Sequence, residues 1–281
     1  MSRIAVVGGG TMGNGIAQVF AASSHEVTLV EVSEERLQSA LGNIGKSLDR
    51  AVKKGALDAA GKGAVLERIR GATTLADARE AEIVVEAVVE DATTKKKVFE
   101  QLDTVCPPST LFASNTSSIS ITELAAATNR PDRFIGMHFM NPVPVMPLVE
   151  IVRGLTTSDD TYQTIESCSR GLGKTPVEVQ DYPGFVSNRV LMPMINEAIY
   201  CLMEGVATRE SIDQVMKLGM NHPMGPLALA DLIGLDVCLS IMNVLHEGYS
   251  DSKYRPCPLL RKMVAAGRLG RKAGRGFYEY D

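Results

Sequence analysis

The chain lacks paired cysteines and clustered histidines, and each gap removes a class of function. Cys106, Cys168, Cys201, Cys238 and Cys257 are odd in number, scattered and never spaced C-x-x-C. They read as buried or free thiols in a reducing compartment, not as disulfides or metal ligands. His25, His138, His222 and His246 fall in no H-x-x-x-H arrangement, so no metal is expected. Excess charge is also small. A formal net charge of −4 argues against a general nucleic-acid binder and confines any phosphate site to a local patch. The best apolar stretch, 190–203, is interrupted by Asn196 and Glu197 and is too short to span a bilayer. Strand-like sequence begins at Arg3, which leaves no room for a secretory leader. There is no internal repeat and no low-complexity tract. A cytoplasmic protein that binds neither nucleic acid nor membrane is expected.

What remains is a soluble globular composition, 45% apolar and 22% charged over 281 residues, enough for one large or two ordinary domains. Ile4-Ala-Val-Val7 has a buried-strand pattern and runs directly into Gly8-Gly-Gly10-Thr11-Met12-Gly13. The residues 16–22 that follow read as helix. G-x-G-x-x-G in this strand-turn-helix setting is the dinucleotide-binding fingerprint: the glycines permit the turn, the approach of a pyrophosphate and close packing of helix on strand. The helix N-terminus supplies N–H groups and a favourable dipole for the phosphates. A second strand, 26–30, ends at Glu31, about 20 residues beyond the glycines, where the fold places its ribose-binding acid. A carboxylate there accepts from a 2′-hydroxyl and repels a 2′-phosphate, favouring NAD over NADP. Arg36 lies a helical turn further on and is a weaker candidate for phosphate recognition.

Ser33 is an N-cap candidate, with Glu34 and Glu35 in the first turn of a helix reaching about Lys54. Ser47, Arg50 and Lys54 share one of its faces, which by helix pattern alone is better read as a solvated surface. Residues 58–70 are expected to form a second helix, giving a charged hairpin near 33–70. A buried strand over 81–89 ends at Glu90, and Lys95, Lys96 and Lys97 then open a helix. Cations are unfavourable at a helix N-terminus, so a nearby cofactor or carboxylate is implied. The strand 111–113 ends in Ser114-Asn115-Thr116-Ser117-Ser118, a polar cluster at the carboxyl end of a strand, where open α/β sheets bind ligands. For Ser118 a helix N-cap is the preferred role.

Around Gly136 to Arg153 an apolar run carries one imidazole and one carboxylate, His138 and Glu150, with the Pro-rich turn 142–147 between strand-like flanks. Folded side by side, the flanks bring acid to histidine, a proton-transfer pair. A core histidine with a strand-end glutamate is the alternative. Asp181-Tyr-Pro-Gly184 breaks the pattern. Beyond it come helices expected at 185–204, 209–218, 229–247 and 258–266, with Asn188 in the first turns of the first. The expected architecture is an α/β Rossmann-type dinucleotide-binding domain, 1–183, followed by an all-α domain, 184–281.

With these segments in view the chain resembles the 3-hydroxyacyl-CoA dehydrogenases. The match runs through the glycine loop, Ser114-Asn-Thr-Ser-Ser, His138-Phe-Met-Asn141-Pro, Asp181-Tyr-Pro-Gly-Phe-Val-Ser-Asn188-Arg, His222-Pro-Met-Gly-Pro and Gly276-Phe-Tyr. The resemblance implies reversible, NAD-linked interconversion of (S)-3-hydroxyacyl-CoA and 3-oxoacyl-CoA, short-chain, with acetoacetyl-CoA as the ketone. It makes His138 the general base and acid and Glu150 its partner. Ser117 would bond the substrate's C3 oxygen and Asn188 would position the substrate. Gly8, Gly10, Thr11, Met12, Gly13, Glu31, Glu90, Lys95, Asn115, Asn141 and Lys272 would contact the cofactor. Ser47 and Lys54 would contact coenzyme A, and the C-terminal domain would form a homodimer. Glu31 stands where the family often has aspartate. A dehydrogenase of a free hydroxy acid such as L-gulonate, which needs no coenzyme A face, is the competing function. A non-catalytic NADH-binding protein on the same fold is the other.

Overall fold

In the computed structural model, which describes residues 1–280, the first strand, β1 (Arg3–Val7), is followed by α1 (Thr11–Ala22), β2 (Glu26–Val30), α2 (Glu34–Lys53) and α3 (Ala59–Glu67). Next come β3 (Ile69–Ala72), β4 (Ile83–Glu86), α4 (Ala92–Val105), β5 (Leu111–Ser114), α5 (Ile121–Ala125) and β6 (Phe134–Phe139). Then β7 (Leu148–Arg153), α6 (Asp159–Gly171) and β8 (Thr175–Gln180) complete a first unit, Met1–Asp181. Its eight strands form one sheet in the order β3-β2-β1-β4-β5-β6-β7-β8. Every adjacent pair is parallel except β6 with β7. The first six positions follow the doubly wound dinucleotide-binding order, the Rossmann-type class that the sequence led us to expect.

Strands covered on both faces by helices must be apolar throughout, and Ile4, Ala5, Val6, Val7, Ile83, Val84 and Val85 are all buried. Local rules account for several helix ends. Ser33 caps α2 by accepting from the Arg36 N–H, and Asp58 caps α3 by accepting from the Gly61 N–H.

Some expected boundaries are corrected. The helix expected to Arg70 ends at Glu67, because Ile69 pairs with Val27 and extends the sheet as β3. The strand expected over 81–89 is confined to Ile83–Glu86. The helix containing the three lysines starts earlier, at Ala92, capped by Asp91, so the lysines sit beyond the first residues of the dipole.

The second unit, Tyr182–Asp281, is helical: α7 (Ser187–Met203), α8 (Arg209–Gly219), α9 (Pro226–Ile233), α10 (Leu235–Tyr249) and α11 (Pro258–Ala265). Ile195, Ile199, Leu227, Leu235, Leu245 and Leu260 centre its core. The single helix expected over 229–247 is instead two, bent by 98° at Gly234, whose φ of 105° no helix accommodates. Asp231, 1% exposed, accepts from the N–H groups of Phe277 and Tyr278 and from the Tyr280 hydroxyl, which fastens the C-terminal tail onto α9.

Candidate active site

The antiparallel pair β6–β7 sets His138 directly opposite Glu150. Facing residues on such a pair point to the same side of the sheet with their Cβ atoms close together. Here His138 Nδ1 lies 2.8 Å from Glu150 Oε2, and both side chains are buried. The carboxylate accepts the Nδ1 proton, which selects the tautomer with its lone pair on Nε2. Two further contacts hold this corner. Asn115 Oδ1 accepts from the Phe139 N–H at 2.9 Å, tying the end of β5 to the residue after the histidine. The Lys174 ammonium donates to the carbonyls of Val143 and Met146, bracing the Pro-rich turn.

A second cluster spans the carboxyl ends of β4 and β5. Glu86 closes β4 between Val7 of β1 and Ser114 of β5. Its carboxylate is inaccessible to solvent. Oε1 accepts from Lys95 Nζ and from the Val88 N–H, each at 2.6 Å, and Oε2 accepts from the Ser114 hydroxyl at 2.6 Å. Lys95, only 1% exposed, also reaches Glu90 Oε2 at 3.3 Å. Glu90 Oε1 in turn accepts from Thr116 Oγ1 at 2.6 Å, from the Ser117 N–H at 2.8 Å, and from the hydroxyls of Ser117 and Ser118.

Burial pushes the Glu86 carboxyl up, against the pull of Lys95 and its hydrogen bonds. Burial opposes ionisation of Glu90 too, but Lys95 and the bonds from Thr116 and Ser117 outweigh it and hold this carboxyl below its usual range. Two of the three lysines thus have carboxylate partners, Lys95 with Glu86 and Glu90 and Lys96 with Glu123. Ser118 does not cap a helix as expected: Ser120 caps α5, and Ser118 donates to Glu90. Glu86 was missed in the sequence, although an acid inside Ile83-Val-Val-Glu86-Ala-Val-Val is a visible signal, since buried charges need partners.

The glycine loop forms the third part. Gly8 has φ of 96°, and a Cβ on Gly13 would stand 1.7 Å from the Gly8 carbonyl oxygen, so neither position accepts a side chain. At Gly10 a Cβ would meet nothing within 4 Å, and α1 begins there without a side-chain cap. The first turn of α1 is thus left without a side-chain cap and with room beside Gly10, a setting that suits a pyrophosphate. Thr11 is exposed and Met12 packs against the core of the unit. Alongside runs a cavity of about 800 Å³, walled by Val30, Leu75, Val88 and Val98, with Glu31 and Arg36 on its lining. Apolar walls with one carboxylate suit an adenosine. The residues present fit NAD.

The remaining expected site residues each belong to one unit or the other. Ser47 is half-buried on α2, Lys54 is the exposed residue that ends that helix, and Asn141 is exposed in the turn after β6. Asn188 is buried in the first turn of α7, and Lys272 pairs with Asp236 at 2.6 Å, both within the second unit.

Comparison with known proteins identifies the family of both domains. The family model for the 3-hydroxyacyl-CoA dehydrogenase NAD binding domain matches residues 3–182, and that for the 3-hydroxyacyl-CoA dehydrogenase C-terminal domain matches 184–280. A Bacillus subtilis protein named probable 3-hydroxybutyryl-CoA dehydrogenase is 58% identical over 100% of this chain and 98% of its own length. The 3-hydroxybutyryl-CoA dehydrogenase of Bradyrhizobium diazoefficiens is 54% identical, covering 100% of this chain and 96% of its own. The crystal structure of (S)-3-hydroxybutyryl-CoA dehydrogenase from Ralstonia eutropha superposes with a TM-score of 0.98 at 53% identity, covering 100% of this chain and 99% of that one.

Proposed function

The chain belongs to the 3-hydroxyacyl-CoA dehydrogenase family and is an NAD-dependent oxidoreductase, and within that class we propose that it interconverts (S)-3-hydroxybutyryl-CoA and acetoacetyl-CoA. What carries the reading is the His138–Glu150 pair, 2.8 Å apart, on the same sheet as a dinucleotide loop. Oxidising a secondary alcohol to a ketone removes a hydride from carbon and a proton from oxygen. Bound NAD would supply the acceptor for that hydride. His138 Nε2 takes the proton from the C3 hydroxyl and returns it in the reverse direction, while Glu150 holds the ring through Nδ1. Ser117 donates to the C3 oxygen, and Asn188 helps to position the substrate.

Gly8, Gly10, Thr11, Met12 and Gly13 receive the pyrophosphate, and Glu31 the adenine ribose. Glu90, Lys95, Asn115, Asn141 and Lys272 serve the remainder of the cofactor, and Ser47 and Lys54 take the coenzyme A. The α/β domain, 1–183, holds the cofactor. The helical domain, 184–281, supplies Asn188 and the surface of a cytoplasmic homodimer. An apolar cavity of about 430 Å³ in that domain, walled by Met194, Ala198, Val206, Ile212 and Val215, supports the dimer, because such a surface on a soluble protein marks an interface.

The test is NADH oxidation followed with acetoacetyl-CoA, with longer 3-oxoacyl-CoA thioesters and with free acetoacetate. Turnover with the thioesters, highest for the four-carbon one, is expected. Turnover with the free acid alone would replace this reading with a hydroxy-acid dehydrogenase.

A further inference from the structure

Glu86 has no place in the reaction outlined above, yet it is the fully buried charge at the centre of the β4–β5 edge. Removing a carboxylate from water is costly unless its lone pairs are taken up, and here each is directed to a different element. The Val88 N–H belongs to the segment after β4, Lys95 to α4, and Ser114 to the end of β5. Lys95 is equally constrained. It is 1% exposed, with one short bond to Glu86 and longer contacts to Glu90 at 3.3 Å and to the Val88 carbonyl at 3.4 Å. Glu90 then holds both the N–H and the hydroxyl of Ser117. An ordered path thus runs from Glu86 through Lys95 and Glu90 to Ser117, beginning in the core and ending where the carboxyl ends of the strands receive ligand.

We propose that Glu86 is a positioning residue for the cofactor: its buried carboxylate fixes Lys95, and through Lys95 it sets the placement of Glu90 and of the Ser117 segment on the ligand side of the sheet. Among the described residues, the long, flexible lysine side chain has no other short bond to select its rotamer. Without the carboxylate the ammonium swings toward Glu90 and competes with Thr116 and Ser117 for it. The effect on ligand is therefore indirect, and it depends on Lys95 being present.

This inference rests on the NAD reading, and the experiment separates the two. NADH binding is titrated by its fluorescence in wild type, Glu86→Gln, Lys95→Met and the double variant, with thermal melting of each. Glu86→Gln keeps the shape of the side chain and loses its charge. It is expected to weaken NADH binding roughly tenfold, within the range of direct coupling between contacting residues, and to raise KM for NADH more than it lowers kcat. In the Lys95→Met background the same change should alter NADH affinity less than about twofold, because the route it acts through is already gone. Should Glu86→Gln alone not fold, Lys95→Met against the neutral double variant supplies that second comparison. NADH affinity at the wild-type level in Glu86→Gln, or an equal loss with and without Lys95, overturns the proposal. A wild-type protein that fails to bind NADH overturns the cofactor reading instead.

Discussion

The backbone N–H of Gly9 donates to Glu31 Oε1 at 2.7 Å, while the Val32 N–H donates to Oε2 at 2.9 Å. Glu31, the proposed ribose-binding acid, is thus held on both oxygens by backbone N–H groups of the glycine loop and of the residue that follows it. A Cβ on Gly9 would lie 3.2 Å from Glu31 Cγ and 2.7 Å from Ala40 Cβ, so the carboxylate occupies the space beside this glycine. Its orientation comes from the backbone, so the discrimination against a 2′-phosphate proposed for it would be a fixed property of the loop.

Glu31→Ala is therefore expected to narrow the preference for NADH over NADPH by roughly tenfold, since both the bond to the 2′-hydroxyl and the repulsion of a 2′-phosphate are lost. Initial rates with the two cofactors at matched ketone concentration measure this. Wild-type enzyme that already prefers NADPH would contradict the assignment.

His138→Ala should lower kcat by about 10²-fold or more, the contribution of a positioned acid–base group, with NADH binding retained. Glu150→Gln should give a smaller loss, because the ring keeps a neighbour but the neutral amide no longer enforces the Nδ1–H tautomer. Stopped-flow turnover alongside NADH fluorescence separates chemistry from binding, and undiminished turnover in His138→Ala removes that residue from the mechanism.

Gly13→Ala should fold poorly and bind NADH weakly. Its Cβ would fall 1.7 Å from the Gly8 carbonyl oxygen, a backbone atom with no rotamer to escape into. Overpacking of this kind costs about 1–3 kcal/mol or more. The melting temperature reports the cost, and a variant as stable as wild type would show that the loop rearranges freely.

Asp103 makes stability depend on acid pH. It accepts from Arg130 Nε at 2.6 Å and from the N–H and Nδ2 of Asn129 at 2.9 and 2.7 Å. Burial works against its ionisation, but these bonds and the Arg130 charge prevail and hold its carboxyl below the usual range. A depressed folded pKa gives stability that is fully present above the unfolded value, about 3.9 for aspartate, and that is lost as pH falls through the folded value. Asp103→Asn should cost about 1–3 kcal/mol near neutrality and flatten this part of the curve. Denaturant melts from pH 2 to pH 7, on the order of one per unit, would detect it, and parallel curves for the two proteins would refute it.

Much of the nucleotide-binding half was legible because its signals are local. Strand, glycines, helix, strand and acid lie within the first 31 residues, and each is read from period or turn chemistry. The pairing of His138 with Glu150 was legible for a similar reason. They are 12 residues apart, and a Pro-rich turn between two strand-like runs brings neighbours in the chain together in an antiparallel pair. Glu86 was not legible as a hub. Its partner Ser114 lies 28 residues away on an adjacent parallel strand, and which strands neighbour each other depends on crossovers that no local pattern specifies. The bonds of Ser118 to Glu90 belong to the same class, and so does the strand at Ile69, which forms because β2 offers an edge and not because four residues prefer extension.

By itself, then, the sequence determined most of the elements, the glycine loop, the acid that follows β2 and the facing of His138 with Glu150, all set by steric and hydrogen-bonding rules acting over a few residues or one turn. Only the tertiary structure decided which carboxylates neutralise Lys95, where a helix bends at Gly234, and how the ends of β4 and β5 are locked together. A buried charge must find whatever partner the assembled sheet places within about 3 Å, and that distance exists only once the strands have been ordered.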